Sequence, residues 1–485
     1  MPIPLPISAV LLSALRRKEV RFAHWKSNLH LAEALAGETD LDLLIDEGDA
    51  HIFRESMKEV RGRRLISQPW ASYPDVEDWL VFDSITGGFL HLHVHYILVT
   101  GLKRVKHLRL PWTQTVLSHL RNDPISNWPI PTASLELLIL LIRIWAKMPP
   151  WRRLFAPRIP RHTLQELRWL KAEADTAEFS SLATSLGLAT KIFPPLGDTK
   201  AILEASRNLY GQVKKHYRMS WLSALTQAAL LNLRLLATRI WLKQIGPIRY
   251  RKVLDGRGIM VALVGSDGSG KSTVSRSLLK WLHYKLDAHF YYMGSGDGAA
   301  GWVQRVRRGL SRIWRKTKRP RIGNSAKTEG QKSASTLTKL WRSLDLLLLR
   351  RKLRHLRQGK RLADLGSIIL LDRYPQEQFN AICDGPRQQD GMGFGWAARS
   401  ERALFAEAAK LGPDLVIKLS IDPEIAHRRK PDHDLNVVRR KCTIIDDLNF
   451  PQADVVVVDA AMAPDKVLLA AKNAIWEYLS GVPQQ

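Results

Sequence analysis

The sequence predicts an α/β protein, and three observations carry that prediction. From residue 255 onward short apolar runs alternate with helical patterns, which argues for a parallel sheet flanked by helices. Residues 265–272 read G-S-D-G-S-G-K-S, the complete G-x-x-x-x-G-K-[ST] pattern, set between an apolar run and a helical one. In the first third, residues 89–99 alternate at period two and residues 39–46 form a second strand-like run, as a mixed α+β domain requires.

The elements follow in order. Residues 1–15 are apolar but lack a cationic start, carry two early prolines after Pro2 and precede Arg16 and Arg17, so a helix is expected there rather than a secretory signal. Strands and turns share the chain to 131. Residues 133–250 read as helical, strongest at 133–148 and 221–242. The 221–242 run contains Gln227, Asn232, Arg234 and Arg239, which speaks against a bilayer span and leaves a buried helix or an in-plane interfacial one. Strands are then expected at 259–264, 289–293, 368–371, 415–419 and 455–458. The domain expectation is 1–131, a helical connector at 132–254 and the parallel-sheet domain at 255–485, interrupted by a basic insertion at 294–338.

Composition narrows the function. The chain has 485 residues, about three domains by length, and a formal charge of +28 from 74 Lys+Arg against 46 Asp+Glu. The two cysteines, Cys383 and Cys442, exclude a disulfide scaffold and a four-cysteine zinc site and suit a reducing, cytoplasmic setting. The charge calls for an anionic partner. Within it, Arg305, Arg308, Arg312, Arg315 and Lys316 surround Trp302, Val306, Leu310, Ile313 and Trp314 at helical spacing. Two readings stay open for 302–316: a helix lying peripherally on an anionic membrane at the inner face, or a solvated insertion packed on the core. No recognised nucleic-acid module accompanies the charge, which argues against nucleic acid.

The phosphate loop supplies the sharpest chemistry. Gly265, Ser266, Asp267, Gly268, Ser269, Gly270 and Thr273 shape a backbone cradle for phosphates at a helix N-terminus. Lys271 is placed to reach the β/γ-phosphates of ATP, and Ser272 to ligate Mg²⁺. Asp372 and Arg373 close a buried strand, so they emerge beside the loop with a carboxylate for Mg²⁺ and a guanidinium for a phosphate.

"GSDGSGKST", "DRYP", "PDLVIKLSIDPEIAHRRK" and "VVVVDA" together resemble the thymidylate kinase family of P-loop nucleoside-monophosphate kinases, over 258–479. The resemblance implies a sheet of that family's type and an ATP-dependent transfer of the γ-phosphoryl to a nucleoside monophosphate. It also implies that Asp267 contacts the acceptor's sugar, that Asp372 and Arg373 serve magnesium and the acceptor phosphate, and that Arg428, Arg429 and Lys430 form a lid. The segment ending at Asp459 and Ala460 would lie beside the adenine. The acceptor half departs from the family. Val264 stands where Glu is usual, and "YYMGSGDGAAGW" replaces the Arg-Glu-Pro motif. "DRYP…DGPR" is also similar to thymidylate kinase-like proteins of bacterial surface-polysaccharide loci. A sugar-, glycerol- or lipid-linked acceptor therefore stays open, as does a nucleotide-gated membrane scaffold without turnover.

"HWKSNLHLAEALAGETDLDLLID" resembles the nucleotidyltransferase superfamily, with Asp40 and Asp42 on one strand face as ligands for Mg²⁺ and Ser27 upstream, although Lys26 replaces the usual glycine. A second, nucleotidyltransferase activity is left open. No third carboxylate is evident on the later strand, which instead carries His91, His93 and His95 on one face, for a metal, a phosphate or a polar sheet surface.

Overall fold

The computed structural model describes residues 2–189, 198–240, 251–294, 327–380, 382–386, 395–432 and 434–481. The proposed membrane helix at 302–316 lies outside the described residues. The chain divides into two compact units, Met1–Asp255 and Gly256–Pro483.

The first unit is built on a six-stranded sheet. Its strands are β1 (Phe22–His24), β2 (Leu41–Ile45), β3 (Arg63–Ile66), β4 (Val76–Phe82) and β5 (Phe89–His95), and after β6 (Leu98–Thr100), β7 (Leu108–Leu110), β8 (Leu120–Asn122) and β9 (Pro129–Pro131) the chain returns with β10 (Val253–Leu254). The order is β1-β2-β5-β4-β3-β10. Only β2 and β5 run parallel; every other pairing in this sheet is antiparallel. The expected 89–99 strand ends at His95 and resumes as β6, which pairs with β7 in a separate ribbon.

Helices α1 (Pro6–Arg17), α2 (Leu31–Leu35) and α3 (Ala50–Glu59) bury Leu11, Leu15, Leu35 and Phe53 against the sheet residues Leu41, Leu43 and Leu92. The later helices are α4 (Thr113–Ser118), α5 (Ala133–Lys147), α6 (Pro150–Phe155), α7 (Arg161–Glu173), α8 (Thr176–Ser185), α9 (Thr199–Gln212) and α10 (Trp221–Ile240), of which α4, α5, α7, α8 and α9 share a second core. Helix α5 is predominantly apolar and buried on nearly every side, with Glu136 and Arg143 among its enclosed residues. Its leucines share one cluster with Trp25, Leu44 and Leu98 as well as with Leu170, Phe179 and Ile202. The stretch expected to be a connector thus packs into the N-terminal unit, because α5 buries its surface on the strands and on the later helices at once.

Helix α10 departs from the buried expectation. It packs one stripe, Ala224, Leu225, Ala228 and Leu231, on Leu102 and Val105. Leu222, Leu230, Leu233 and Leu236 remain exposed. No helix among the described residues is long and apolar enough to cross a membrane.

The second unit is a five-stranded, wholly parallel sheet of β11 (Met260–Gly265), β12 (Ala288–Tyr292), β13 (Ile368–Asp372), β14 (Leu415–Ser420) and β15 (Asp454–Asp459), in the order β12-β13-β11-β14-β15. The expected strands match it within one or two residues. The helices are α11 (Lys271–Leu282), α12 (Lys327–Asp364), α13 (Gly395–Lys410), α14 (Pro423–Arg429), α15 (Leu435–Asp447) and α16 (Pro464–Gly481). Met260, Ala262 and Val264 face Leu353, Leu356 and Ile445 on one side of the sheet. The central strand β11 lies between β13 and β14, so the chain leaves it in both directions. The carboxyl edge at such a switch point is where open α/β sheets bind ligands.

Candidate functional site

The phosphate loop occupies that edge. It leaves β11 at Gly265, and Gly268 and Gly270 take left-handed φ angles of 86° and 84° before α11 starts at Lys271. A side chain at Gly268 would come within 2.4 Å of the Ala426 carbonyl of α14, so only glycine lets loop and helix approach this closely. Ser269 Oγ braces the turn by donating to Ser266 O at 2.9 Å. Lys271 is buried, and its Nζ donates to Gly265 O at 2.7 Å and Ser266 O at 2.5 Å, folded back across the loop. Burial, then the neighbouring Arg373 charge, lowers its pKa to about 8.

Asp372 ends β13 beside the loop. Ser272 Oγ donates to its Oδ2 at 3.4 Å. The carboxylate is 2% exposed, burial raises its pKa, and Oδ1 has no hydrogen-bond partner among the described residues. An enclosed carboxylate oxygen with nothing to bind, next to a loop hydroxyl, fits a divalent cation.

Arg373 adopts φ 72°, which turns its guanidinium toward Asp267 (3.5 Å) and Asp384 (3.4 Å). Lys441 of α15 reaches Asp267 at 2.5 Å, and Lys352 of α12 reaches Asp384 at 3.1 Å. Burial alone would raise the Asp267 pKa, but Lys441 and Arg373 bring it down to about 2. Asp267, Arg373, Asp384 and Lys441 line a cavity of about 200 Å³ that also touches Val264, Tyr374 and Cys383. Lys441 and Lys352 were invisible to motif reading, since both lie in helices whose other residues carry no signal. Arg428, Arg429 and Lys430 are all exposed, and Arg429 donates to Ala460 O at 2.7 Å.

A second constellation lies in the first unit. The register places Asp42 opposite His93, and His93 opposite Asp78 of β4. One face therefore carries Asp40, Asp42, His91, His93, His95 and Asp78. Asp78 is the third carboxylate that the sequence alone did not disclose: it sits on β4, a strand buried along nearly its whole length, so its face is set only by pairing with β5. Lys26 holds Asp42 at 2.6 Å and Lys252 holds Asp78 at 2.8 Å. Asp40 and Asp42, expected to share Mg²⁺, have different nearest partners, His91 and Lys26, and His93 Nδ1 stands between them at 3.7 and 3.5 Å.

All of these residues except the fully buried His91 line a cavity of about 630 Å³, whose wall also includes Ser27, Lys106, Arg143 and Lys147. Lys106, Arg143 and Lys147 form no ion pair among the described residues. The Arg143 charge, then burial, brings the Lys147 pKa down to about 6, and burial brings Lys106 to about 8. Three crowded cations, with Asp42 the acid that acts on both lysines, make this part of the wall receptive to an anion.

No protein-family model matches the chain. Uncharacterized ATP-binding protein YghR of Escherichia coli K12 is 30% identical over 223 residues, 44% of this chain and 86% of YghR. Uncharacterized ATP-binding protein YghS of the same organism is 30% identical over 233 residues, 46% of this chain and 94% of YghS. The chain belongs to the family of YghR and YghS. The matches to YghR and YghS cover under half of this chain's length.

Proposed function

We propose that residues 256–483 form an ATP-dependent phosphotransferase resembling thymidylate kinase, which moves the γ-phosphoryl of ATP to a monophosphate acceptor. One observation carries this reading. The phosphate loop, with Lys271 and Ser272, stands against the Asp372–Arg373 strand end, and a charged cavity adjoins the pair. The family's names supply ATP as the nucleotide. Ser272 and Asp372 would hold Mg²⁺, which when bound neutralises charge on the phosphates.

The chain's own groups do the rest. Lys271 exchanges its two backbone carbonyls for phosphate oxygens when the nucleotide arrives. Its low pKa reflects buried positive charge without a full counter-charge, which the phosphates provide. Arg373, pre-aimed by Asp267 and Asp384, grips the acceptor phosphate. Little covalent chemistry is needed, so positioning and electrostatics account for the rate. The cavity of about 200 Å³ suits a small phosphorylated group, nucleoside or sugar, and acceptor choice between them falls to Asp267, Asp384 and Lys441.

ATP consumption against thymidylate, other nucleoside monophosphates and sugar phosphates tests the proposal. Lys271→Ala is expected to cut turnover by at least about 10²–10³-fold, the scale of losing one electrostatic donor, with the thermal melt unchanged. Normal turnover in that variant would refute phosphoryl transfer at this loop. ATP binding without turnover on every acceptor would favour a nucleotide-gated scaffold.

A further inference from the structure

We propose that Asp40, His91 and His93 form a mononuclear site for a divalent transition-metal ion of the Mn²⁺-to-Zn²⁺ range, with Asp78 orienting both imidazoles. The inference is independent of the phosphotransferase reading, since every residue it uses lies in the first unit.

The geometry converges on one point. His91 Nδ1 is 2.8 Å from Asp40 Oδ1, and His93 Nδ1 is 3.7 Å from Asp40 Oδ2. One ligand atom from each of the three residues lies within 4.8 Å of the others. Ligands held at about 2.0–2.2 Å from a shared ion stand roughly 3–4 Å apart, so a small inward movement closes the shell. Both rings turn Nδ1 toward Asp40, and His93 Nδ1 stands between Asp40 and Asp42 Oδ1, the latter at 3.5 Å.

Their opposite nitrogens also share a target. His91 Nε2 is 3.5 Å and His93 Nε2 is 3.1 Å from Asp78 Oδ1. A carboxylate behind an imidazole draws the proton to that side; His91 Nδ1 here hydrogen-bonds Asp40 Oδ1 at 2.8 Å, and an arriving ion would replace that bond and shift the proton to Nε2, which faces Asp78. Asp78 is in turn fixed by Ser67 Oγ at 2.7 Å and Lys252 Nζ at 2.8 Å. His91 Nε2 and Asp78 Oδ1 are both fully enclosed yet make no hydrogen bond of good geometry among the described residues. Such atoms are costly unless something draws the rings into line.

Two features choose the metal. Asp42 borders the site, 3.5 Å from His93 Nδ1, but is paired with Lys26 at 2.6 Å, so Asp40 and the two imidazoles make the ligand set rather than the oxygen set that Mg²⁺ prefers. Imidazole selects Zn²⁺, Mn²⁺ and their neighbours. Asp40 and His93 border the cavity of about 630 Å³, which leaves the ion's remaining positions open to water or an anion.

The test uses the full-length protein stripped with a chelator, then dialysed against Zn²⁺ with excess Mg²⁺ and titrated separately with Co²⁺ for its visible spectrum. One equivalent of Zn²⁺ should be retained, and Co²⁺ should give the intense bands of low coordination number. Asp40→Asn and His93→Ala should each lose that equivalent; both positions are partly exposed, which spares the fold, and a thermal melt verifies this. Asp78→Asn should keep the site but weaken it about 10–100-fold. Unchanged zinc content in Asp40→Asn and His93→Ala, or displacement by excess Mg²⁺, would overturn the site. Full affinity in Asp78→Asn would overturn the orienting role.

Discussion

Glu136 shows how a single enclosed group ties the first unit to pH. Its Oε1 accepts from Asn28 N at 3.0 Å and its Oε2 from Asn28 Nδ2 at 2.7 Å, while His24 Nδ1 lies 2.5 Å from Asn28 Oδ1. Burial raises the Glu136 pKa to about 7, against the pull of the Asn28 bonds. The unfolded chain releases this proton near pH 4.5, so between about 4.5 and 7 the folded state holds more protons. Stability from this group is therefore complete below about 4.5 and is lost as pH rises through about 7. His24, whose pKa burial lowers, works in the opposite sense toward acid. Urea unfolding at pH 5.5 and pH 8 should show Glu136→Gln gaining on wild type at pH 8, by roughly 1–3 kcal/mol relative to the pH 5.5 comparison. An identical gap at both values would mean that Glu136 does not titrate on unfolding.

At this scale, legibility follows locality. Gly265 to Ser272 are contiguous, so their spacing disclosed the loop. Asp372 and Arg373 were found because a strand's carboxyl end is a local feature. Asp78, Lys252, Lys441 and Lys352 reach their sites through sheet register or helix packing, and no local pattern marks them.

Among the elements, α5 bears most on stability. Thirteen of its fifteen residues are buried, and it contacts strands on one side and helices α7, α8 and α9 on the other. Its run of leucines made the helix itself evident, but periodicity cannot say what surrounds a helix that is buried on nearly every side. The expectation of a connector failed there. Leu138 is 0% exposed. Leu138→Ala should cost about 2–5 kcal/mol, a transfer loss plus a cavity. A shift in the urea midpoint at unchanged slope would register it, and a cost below 1 kcal/mol would mean that the helix is not a core element. Helix α10 is the contrary case: its apolar content suggested burial, yet the polar residues spaced along it leave only one narrow stripe for packing.

The whole molecule divides its charge unevenly. Of the +28, eleven Lys/Arg fall between residues 305 and 332 against the single acid Glu329, so the excess is concentrated rather than spread. Packing divides at Gly256, and the second unit has its own core around Met260, Leu371 and Ile445. Its sheet is complete within it: all five strands pair only with one another. Every partner of Lys271, Asp372 and Arg373 described above also lies within it. Residues 256–485 produced alone should therefore melt cooperatively and bind ATP with the affinity of the full chain, as measured by calorimetry. Aggregation of that segment, or loss of ATP binding by a segment that still folds, would show that residues 1–255 complete the nucleotide site.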